Sequence, residues 1–245
     1  MGTSTWFVSD LHLSAQRPAA VRVFFDLLER AKTGAEAVYL LGDVFDAWVG
    51  DDDLAQPLAA EVANALAAYS SSGGRLYVMH GNRDFLMGER FCLAAGAKML
   101  GDPHLADLYG TPTVLMHGDL LCTEDVRYQT FRNQVRDPAW QAEFLRRPLA
   151  ERYAMAAAVR RENEAEKSQK TEVIMDVTED AVQDLLRRFD YPRLIHGHTH
   201  RPARHVHRVD GHDCERWVLA DWYRSASYLA CTPDGCRTEQ LGPTW

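Results

Sequence analysis

Five short segments of the chain carry side chains that bind divalent metals: Asp10-Leu11-His12, Gly42-Asp43, Gly81-Asn82-Arg83-Asp84, His117-Gly118-Asp119 and His196-Gly197-His198-Thr199-His200. Carboxylate and amide oxygens mixed with imidazole nitrogens suit borderline ions such as manganese, iron, cobalt or zinc. No cysteine stands among them, which disfavours a thiolate site. A carboxylate has two oxygens, so one aspartate can bridge two ions. Ions about 3.5–4 Å apart clamp a phosphoryl group and lower the pKa of a shared water. Two such ions set against Asp10 and Asp43 leave a net positive charge that suits an anionic phosphate. Ordinary polar side chains capping a strand would explain one Asp-x-His, but not five spaced motifs. The residue types therefore point to hydrolysis of a phosphoester or pyrophosphate at Asp10, His12, Asp43, Asn82, His117, His198 and His200.

Each motif closes a short apolar run, so the elements that position it are readable. Strands are predicted at Trp6–Ser9, Ala37–Leu41, Leu76–His80, Thr113–His117, Arg193–His196 and Trp217–Ala220. The nearly continuous apolar runs among them fit strands covered on both faces. Helical spacing of apolar residues predicts helices over Pro18–Ala31, Leu54–Ser70 and Thr178–Phe189. Strands alternating with helices make an α/β layered domain, in which a site gathers at the carboxyl ends of the strands. A strand-rich tail closes the chain.

The stretch Asp125–Lys170 breaks the alternation. It is helix-prone, carries arginines at 127, 132, 136, 146, 147, 152, 160 and 161, and is interrupted at Pro138 and Pro148. It reads as a helical insertion on a single domain spanning 1–245. Its arginines could form a solvated face with i,i+4 pairs to Glu164 and Glu166, lie on an anionic membrane, or line a lid over the site.

Composition bounds the rest. The 245 residues are 46% hydrophobic and 25% charged, with a net charge of −8, which argues against nucleic acid as partner. No secretory signal and no apolar run of about 18 residues is visible, so a cytoplasmic chain is expected, soluble or held at a membrane surface. The five cysteines form no CxxC pair. Cys231 and Cys236 flank the turn sequence Thr-Pro-Asp-Gly and could meet across a hairpin, but a reducing compartment disfavours a disulfide there. His80 and His196 read as hydrogen-bonded core histidines, and His205 and His207 as surface residues rather than a further metal pair. Asp84 and Asp119 either orient a ligand or fix a turn. Asp51-Asp52-Asp53 reads as helix N-terminal charge.

Taken together, DLH, GD, GNRD, HGD and HGHTH resemble the calcineurin-like metallophosphoesterases. GDVFDAWVGDDD, HGNRDFLMG, MHGDLLCTED, IMDV and HGHTHRP resemble more narrowly the UDP-2,3-diacylglucosamine pyrophosphatases of lipid A biosynthesis. The resemblance implies a two-sheet sandwich flanked by helices, with the insertion as a lid. It also implies two manganese ions, one held by Asp10, His12, Asp43 and His200, the other by Asp43, Asn82, His117 and His198. Asp43, Asn82, Arg83, His117 and His198 would carry the chemistry. Substrate would touch Asn82, Arg83, Asp125, Tyr128, Arg160, Lys170 and His198. Asn163 and Lys167 stand at two more contact positions, where the family pattern has a serine and a small polar residue. The implied reaction is attack of metal-activated water on the α-phosphate of UDP-2,3-diacylglucosamine, giving UMP and 2,3-diacylglucosamine 1-phosphate (lipid X). The implied setting is a monomer at the cytoplasmic face of the inner membrane. The competing readings are a two-metal phosphodiesterase or phosphatase acting on a soluble nucleotide or phosphoprotein, and a non-catalytic scaffold.

Overall fold

A computed structural model describes residues 4–167 and 176–242; the side chains of 162–167 lie outside the described residues. The amino-terminal half lays down β1 (Thr5–Val8), α1 (Pro18–Gly34), β2 (Ala37–Leu41), α2 (Pro57–Ser71), β3 (Arg75–Met79), α3 (Glu89–Ala95), β4 (Lys98–Met99), β5 (His104–Leu108) and β6 (Thr111–Leu115). Three helices follow, α4 (Val126–Val135), α5 (Pro138–Leu145) and α6 (Leu149–Lys167), then α7 (Glu179–Arg188) and β7 (Arg193–His196). Four longer strands end the chain: β8 (Ala203–Val209), β9 (His212–Val218), β10 (Ala226–Thr232) and β11 (Gly235–Leu241).

Two sheets result, one ordered β11-β10-β1-β2-β3-β4 and the other β5-β6-β7-β9-β8. In the first, β1 to β4 run parallel and β10 joins β1 antiparallel. In the second, β6, β7 and β9 run parallel with an antiparallel strand at each edge. The period of two along a strand divides each sheet's side chains between two cores. Phe7, Tyr39, Leu41, Met79, Leu115 and Ile195 fill the space between the sheets. Val8, Val38 and Leu40 face the other way, against Phe24, Leu28, Val62 and Leu66 of α1 and α2. Val114 and Leu194 face Val182 and Leu186 of α7. The architecture is a two-layer sandwich with helices outside.

Both long early helices start on a proline, whose fixed φ suits the first turn. That is why α2 begins at Pro57 and not at Leu54: the acidic run folds instead as a 3-10 turn, Asp51–Ala55. In α4 to α6 the two prolines mark the breaks as expected, and Asp125 and Asp137 cap α4 and α5 by accepting from the N–H groups of Tyr128 and Trp140. Among the described residues no helix is long and apolar enough to cross a membrane.

Three sequence expectations need correcting. Cys231 and Cys236 are joined by a disulfide: the turn brings them into directly paired register with Cα atoms 4.1 Å apart, and that proximity outweighs the argument from compartment. The free cysteines Cys122 and Cys214 are buried. The last predicted strand is displaced, since β9 stops at Val218 and Leu219 already leaves the ladder to bond the His196 carbonyl. His207 is buried, not a surface residue. Its Nδ1 lies 3.0 Å from Glu179 Oε1, and Arg216 Nε donates to its Nε2 at 2.9 Å.

Candidate metal centre at the sheet seam

The two sheets present the carboxyl ends of their parallel strands to the same place. Asp10 and His12 follow β1, Asp43 follows β2, Asn82 follows β3, His117 follows β6, and His198 and His200 follow β7. The fold thus brings all seven sequence-predicted donors together. Asp10, His12, Asp43 and His117 are essentially buried, at 0 to 2% exposure, and the other three are half-buried.

The backbone of this cluster is unusual. Asp10, His12, Asp43, His198 and His200 all have positive φ, between 47° and 69°. Left-handed backbone in a non-glycine residue costs of order 1–3 kcal/mol and persists only where surroundings over-determine it. Here they do. The N–H of Asp10 donates to Gly42 O at 3.1 Å and that of His12 to Asp43 O at 3.0 Å, locking two donor loops together. Asp10 Oδ2 accepts from Ser9 Oγ at 2.6 Å and from the His198 N–H at 2.8 Å, which ties the first sheet to the second. A Cβ at Gly81 would collide with the Asp43 carboxylate and one at Gly197 with Asp10, so both glycines are required by close approach.

Each donor's free atoms then converge. His200 Nε2 lies 3.2 Å from Asp10 Oδ1 and 3.4 Å from His12 Nε2. Asn82 Oδ1 lies 3.0 Å from His117 Nε2 and 2.9 Å from His198 Nδ1. His117 Nδ1 donates to Leu41 O at 2.9 Å, which leaves Nε2 to face Asn82 and, at 3.9 Å, Asp43 Oδ1. Asp43 therefore looks both ways, with Oδ2 3.8 Å from His12 Nδ1.

The donor set fits divalent cations on three observations. Asp10, His12 and His200, and again Asp10, Asp43 and His117, each offer ligand atoms within 4.8 Å of one another. His12 Nδ1 is buried without a hydrogen-bond partner. Burial, with the charges of Asp84 and Asp10, pushes the Asp43 carboxyl up to about 7, while burial of His117 is outweighed by Asp43, Asp10 and Asp119, whose charges push it up to about 9. A cation would relieve both by favouring the ionised carboxylate and the neutral imidazole.

Around the donors, Asp84 fixes turns: its carboxylate accepts from the N–H groups of Gly81 (2.7 Å), Val44 (2.7 Å) and Asp43 (3.2 Å). Asp119 instead anchors α4, accepting from Tyr128 Oη at 2.5 Å and Arg132 Nε at 2.8 Å. Tyr128 in turn stacks on His198, with ring centroids 5.9 Å apart. Arg83 reaches the centre, its N–H donating to Asp43 Oδ1 at 2.8 Å and its Nε 3.7 Å from Oδ2. Arg160 pairs with Asp46 of the core, a partner that helical spacing does not suggest. Asp51 does serve a helix start, but that of α3, accepting from the N–H groups of Gly88 and Phe91. His80 bonds Met87 O through Nε2 at 2.6 Å, and His196 lies fully buried with Nδ1 2.9 Å from Gly197 O. Of the expected substrate contacts, Lys170 and the side chains of Asn163 and Lys167 lie outside the described residues.

Sequence reasoning missed Asp46, Arg132 and Tyr223. The Tyr223 ring stacks on His12 at 4.9 Å. Asp46 stands three residues after Asp43, inside a motif already singled out, and was the most findable. Arg132 was one of eight arginines with nothing local to distinguish it.

Comparison with known proteins matches the architecture. Residues 3–202 match the model of the calcineurin-like phosphoesterase family. A UDP-2,3-diacylglucosamine hydrolase of Aromatoleum aromaticum is 53% identical over 226 residues, 92% of each chain. Proteins of the same name from Aeromonas hydrophila and Xanthomonas campestris are 49% and 46% identical, covering 97% of this chain and 98% and 99% of theirs. With identity at that level along nearly the whole length, the chain belongs to the calcineurin-like phosphoesterase family, in the branch of the UDP-2,3-diacylglucosamine hydrolases.

Proposed function

We propose that the chain hydrolyses the pyrophosphate bond of UDP-2,3-diacylglucosamine in lipid A biosynthesis. Water adds to the α-phosphorus, the bond to the bridging oxygen breaks, and UMP and 2,3-diacylglucosamine 1-phosphate leave. The observation that carries the reading is the relatives' identity of 46% or more over at least 92% of the chain. The convergence of seven donors at the seam supports it. Two divalent ions, manganese by resemblance, held by Asp10, His12, Asp43 and His200 and by Asp43, Asn82, His117 and His198, would supply positive charge at the phosphoryl oxygens and make water acidic enough to attack.

The chain's own residues do the rest. Leu41 O fixes the His117 tautomer, so its Nε2 presents a lone pair to the site. Asp84 holds the turns from which Asp43 and Asn82 project. The permanently charged fork of Arg83 is placed beside Asp43, where charge develops on the phosphoryl group. Tyr128 walls the His198 side, and Arg160 brings α6 to the same rim. Residues 125–170 act as a lid. Val126, Leu145 and Met155 are exposed there among Arg127, Arg146, Arg147 and Arg161, a mixture that suits acyl chains and the anionic surface of the inner membrane.

The test is hydrolysis of UDP-2,3-diacylglucosamine in detergent beside bis-p-nitrophenyl phosphate, with chelator and with manganese restored. Release of UMP and lipid X that stops with chelator and returns with manganese is expected. Cleavage of the chromogenic diester alone would keep the metal chemistry and discard the lipid substrate.

A further inference from the structure

Asp46 is the partner that brings Arg160 to the rim of the centre. Its N–H donates to Leu13 O at 3.1 Å, so its side chain is delivered from a fixed stretch beside the buried Phe45. Its two carboxylate oxygens are divided between two arginines from distant parts of the chain. Oδ1 accepts from Arg83 Nη1 at 2.8 Å, and Oδ2 accepts from Arg160 Nη1 of α6, 114 residues further on. Asp46 and Arg83 are each 19% exposed, so the attraction is less screened than on an open surface. Two guanidiniums meeting on one carboxylate reproduce the geometry of an occupied anion site, with the anion supplied by the chain.

We propose that Asp46 is a positioning residue, an internal counter-ion that holds Arg83 and Arg160 where a diphosphate needs them and sets the preference for diphosphates over singly charged phosphodiesters. The inference rests on the phosphoester-hydrolase reading of the site. The Asp46 charge also offsets one of the two positive charges, so removing it while an acceptor oxygen stays in place leaves a stronger site for any small anion. A guanidinium has five N–H donors, so bonding Asp46 through Nη1 leaves Arg83 donors for a phosphoryl oxygen. A singly charged diester gains little from a pair already half neutralised. A diphosphate diester carries a charge on each phosphoryl group and can engage both arginines.

Asp46→Asn keeps the size and removes the charge. In the manganese-loaded protein, calorimetric affinity for inorganic phosphate and UMP should rise roughly tenfold, the scale of one charge at this range. KM for bis-p-nitrophenyl phosphate should fall, and kcat on the diphosphate should fall through slower product release. Arg160→Gln should weaken phosphate binding and shrink the effect of Asp46→Asn placed on top of it. Metal content should stay at the wild-type level. Unchanged phosphate affinity, equal effects of Asp46→Asn with and without Arg160, or loss of metal would each overturn the inference. If wild type turns over neither substrate while phosphate binding changes as stated, the hydrolase reading fails and the counter-ion role stands. Normal turnover with unchanged phosphate binding is the reverse case.

Discussion

In the donor loops, five side chains project from left-handed backbone, and neighbouring loops hold one another through main-chain bonds of about 3 Å. The insertion is built the other way. Helices α4 to α6 have ordinary backbone and many exposed side chains among the described residues, and meet the core through an apolar patch, Phe144 with Trp140, Leu149 and Tyr153, and a few charged or hydroxyl groups. Arg152, only 2% exposed, donates to Val49 O and pairs with Asp52; Tyr153 bonds Asp53 at 2.5 Å; Arg132 bonds Asp119. One region concentrates strain and packs it in place. The other spends little on conformation and adds to one apolar patch several polar contacts that can be removed singly. The proposed function would use both: fixed geometry where charge develops, and a separate wall against which acyl chains could lie.

The largest expected effect is on the donor side. Asp43→Ala should lower turnover by on the order of 10³-fold or more and release metal at the same time, read by kinetics and metal analysis; retained metal with normal turnover would remove Asp43 from its bridging role. Arg152→Met should cost about 2–3 kcal/mol by leaving carbonyls and Asp52 without their charged donor. It should speed proteolysis within α6 while sparing cleavage of a small diester, so equal loss on both substrates would contradict the division between regions. Asp102 lies at the junction, 3.5 Å from Arg132 of α4. Burial and the Asp119 charge push its carboxyl up to about 6 from 3.8. With the folded value above the unfolded one, this group favours folding while protonated, below about pH 4, and that contribution is lost as pH rises through 6. Asp102→Asn should therefore gain on the order of 2 kcal/mol at pH 8 and nothing at pH 4, measured by urea melts. Tyr153→Phe should show the smallest change, about 1 kcal/mol in the same melts.

The same contrast explains what the sequence disclosed. The donors were legible because each ends an apolar run, and because Asp, Asn and His in that order of strand ends have no packing explanation. The parallel strands Ala37–Leu41 and Arg193–His196 appear where the apolar runs place them. The two-residue β4, the edge strand β5 and the seven-residue helix α3 were missed, since β4 and α3 are short, β5 places Leu105 on its exposed face, and Leu93 of α3 is 86% exposed. The anchors of the insertion were not legible either. Nothing near Arg152 announces Asp52, exactly as nothing near Arg160 announces Asp46; those pairings span 100 and 114 residues and exist only once the core has folded. The disulfide failed for a different reason, because local chain geometry, readable in Thr-Pro-Asp-Gly, was outweighed by an argument about compartment.

The order β11-β10-β1-β2 has a consequence for synthesis. The first strand made finds its partner on one side in β2 within about thirty residues, but on the other side only in β10, at the far end of the chain. At roughly 5–20 residues per second, one edge of β1 waits tens of seconds, open to any passing strand. The donor loop at its carboxyl end waits with it. A ribosome-bound chain therefore holds five of the seven donors once His117 has been made, and the last two, His198 and His200, arrive shortly before the strand that seals the edge.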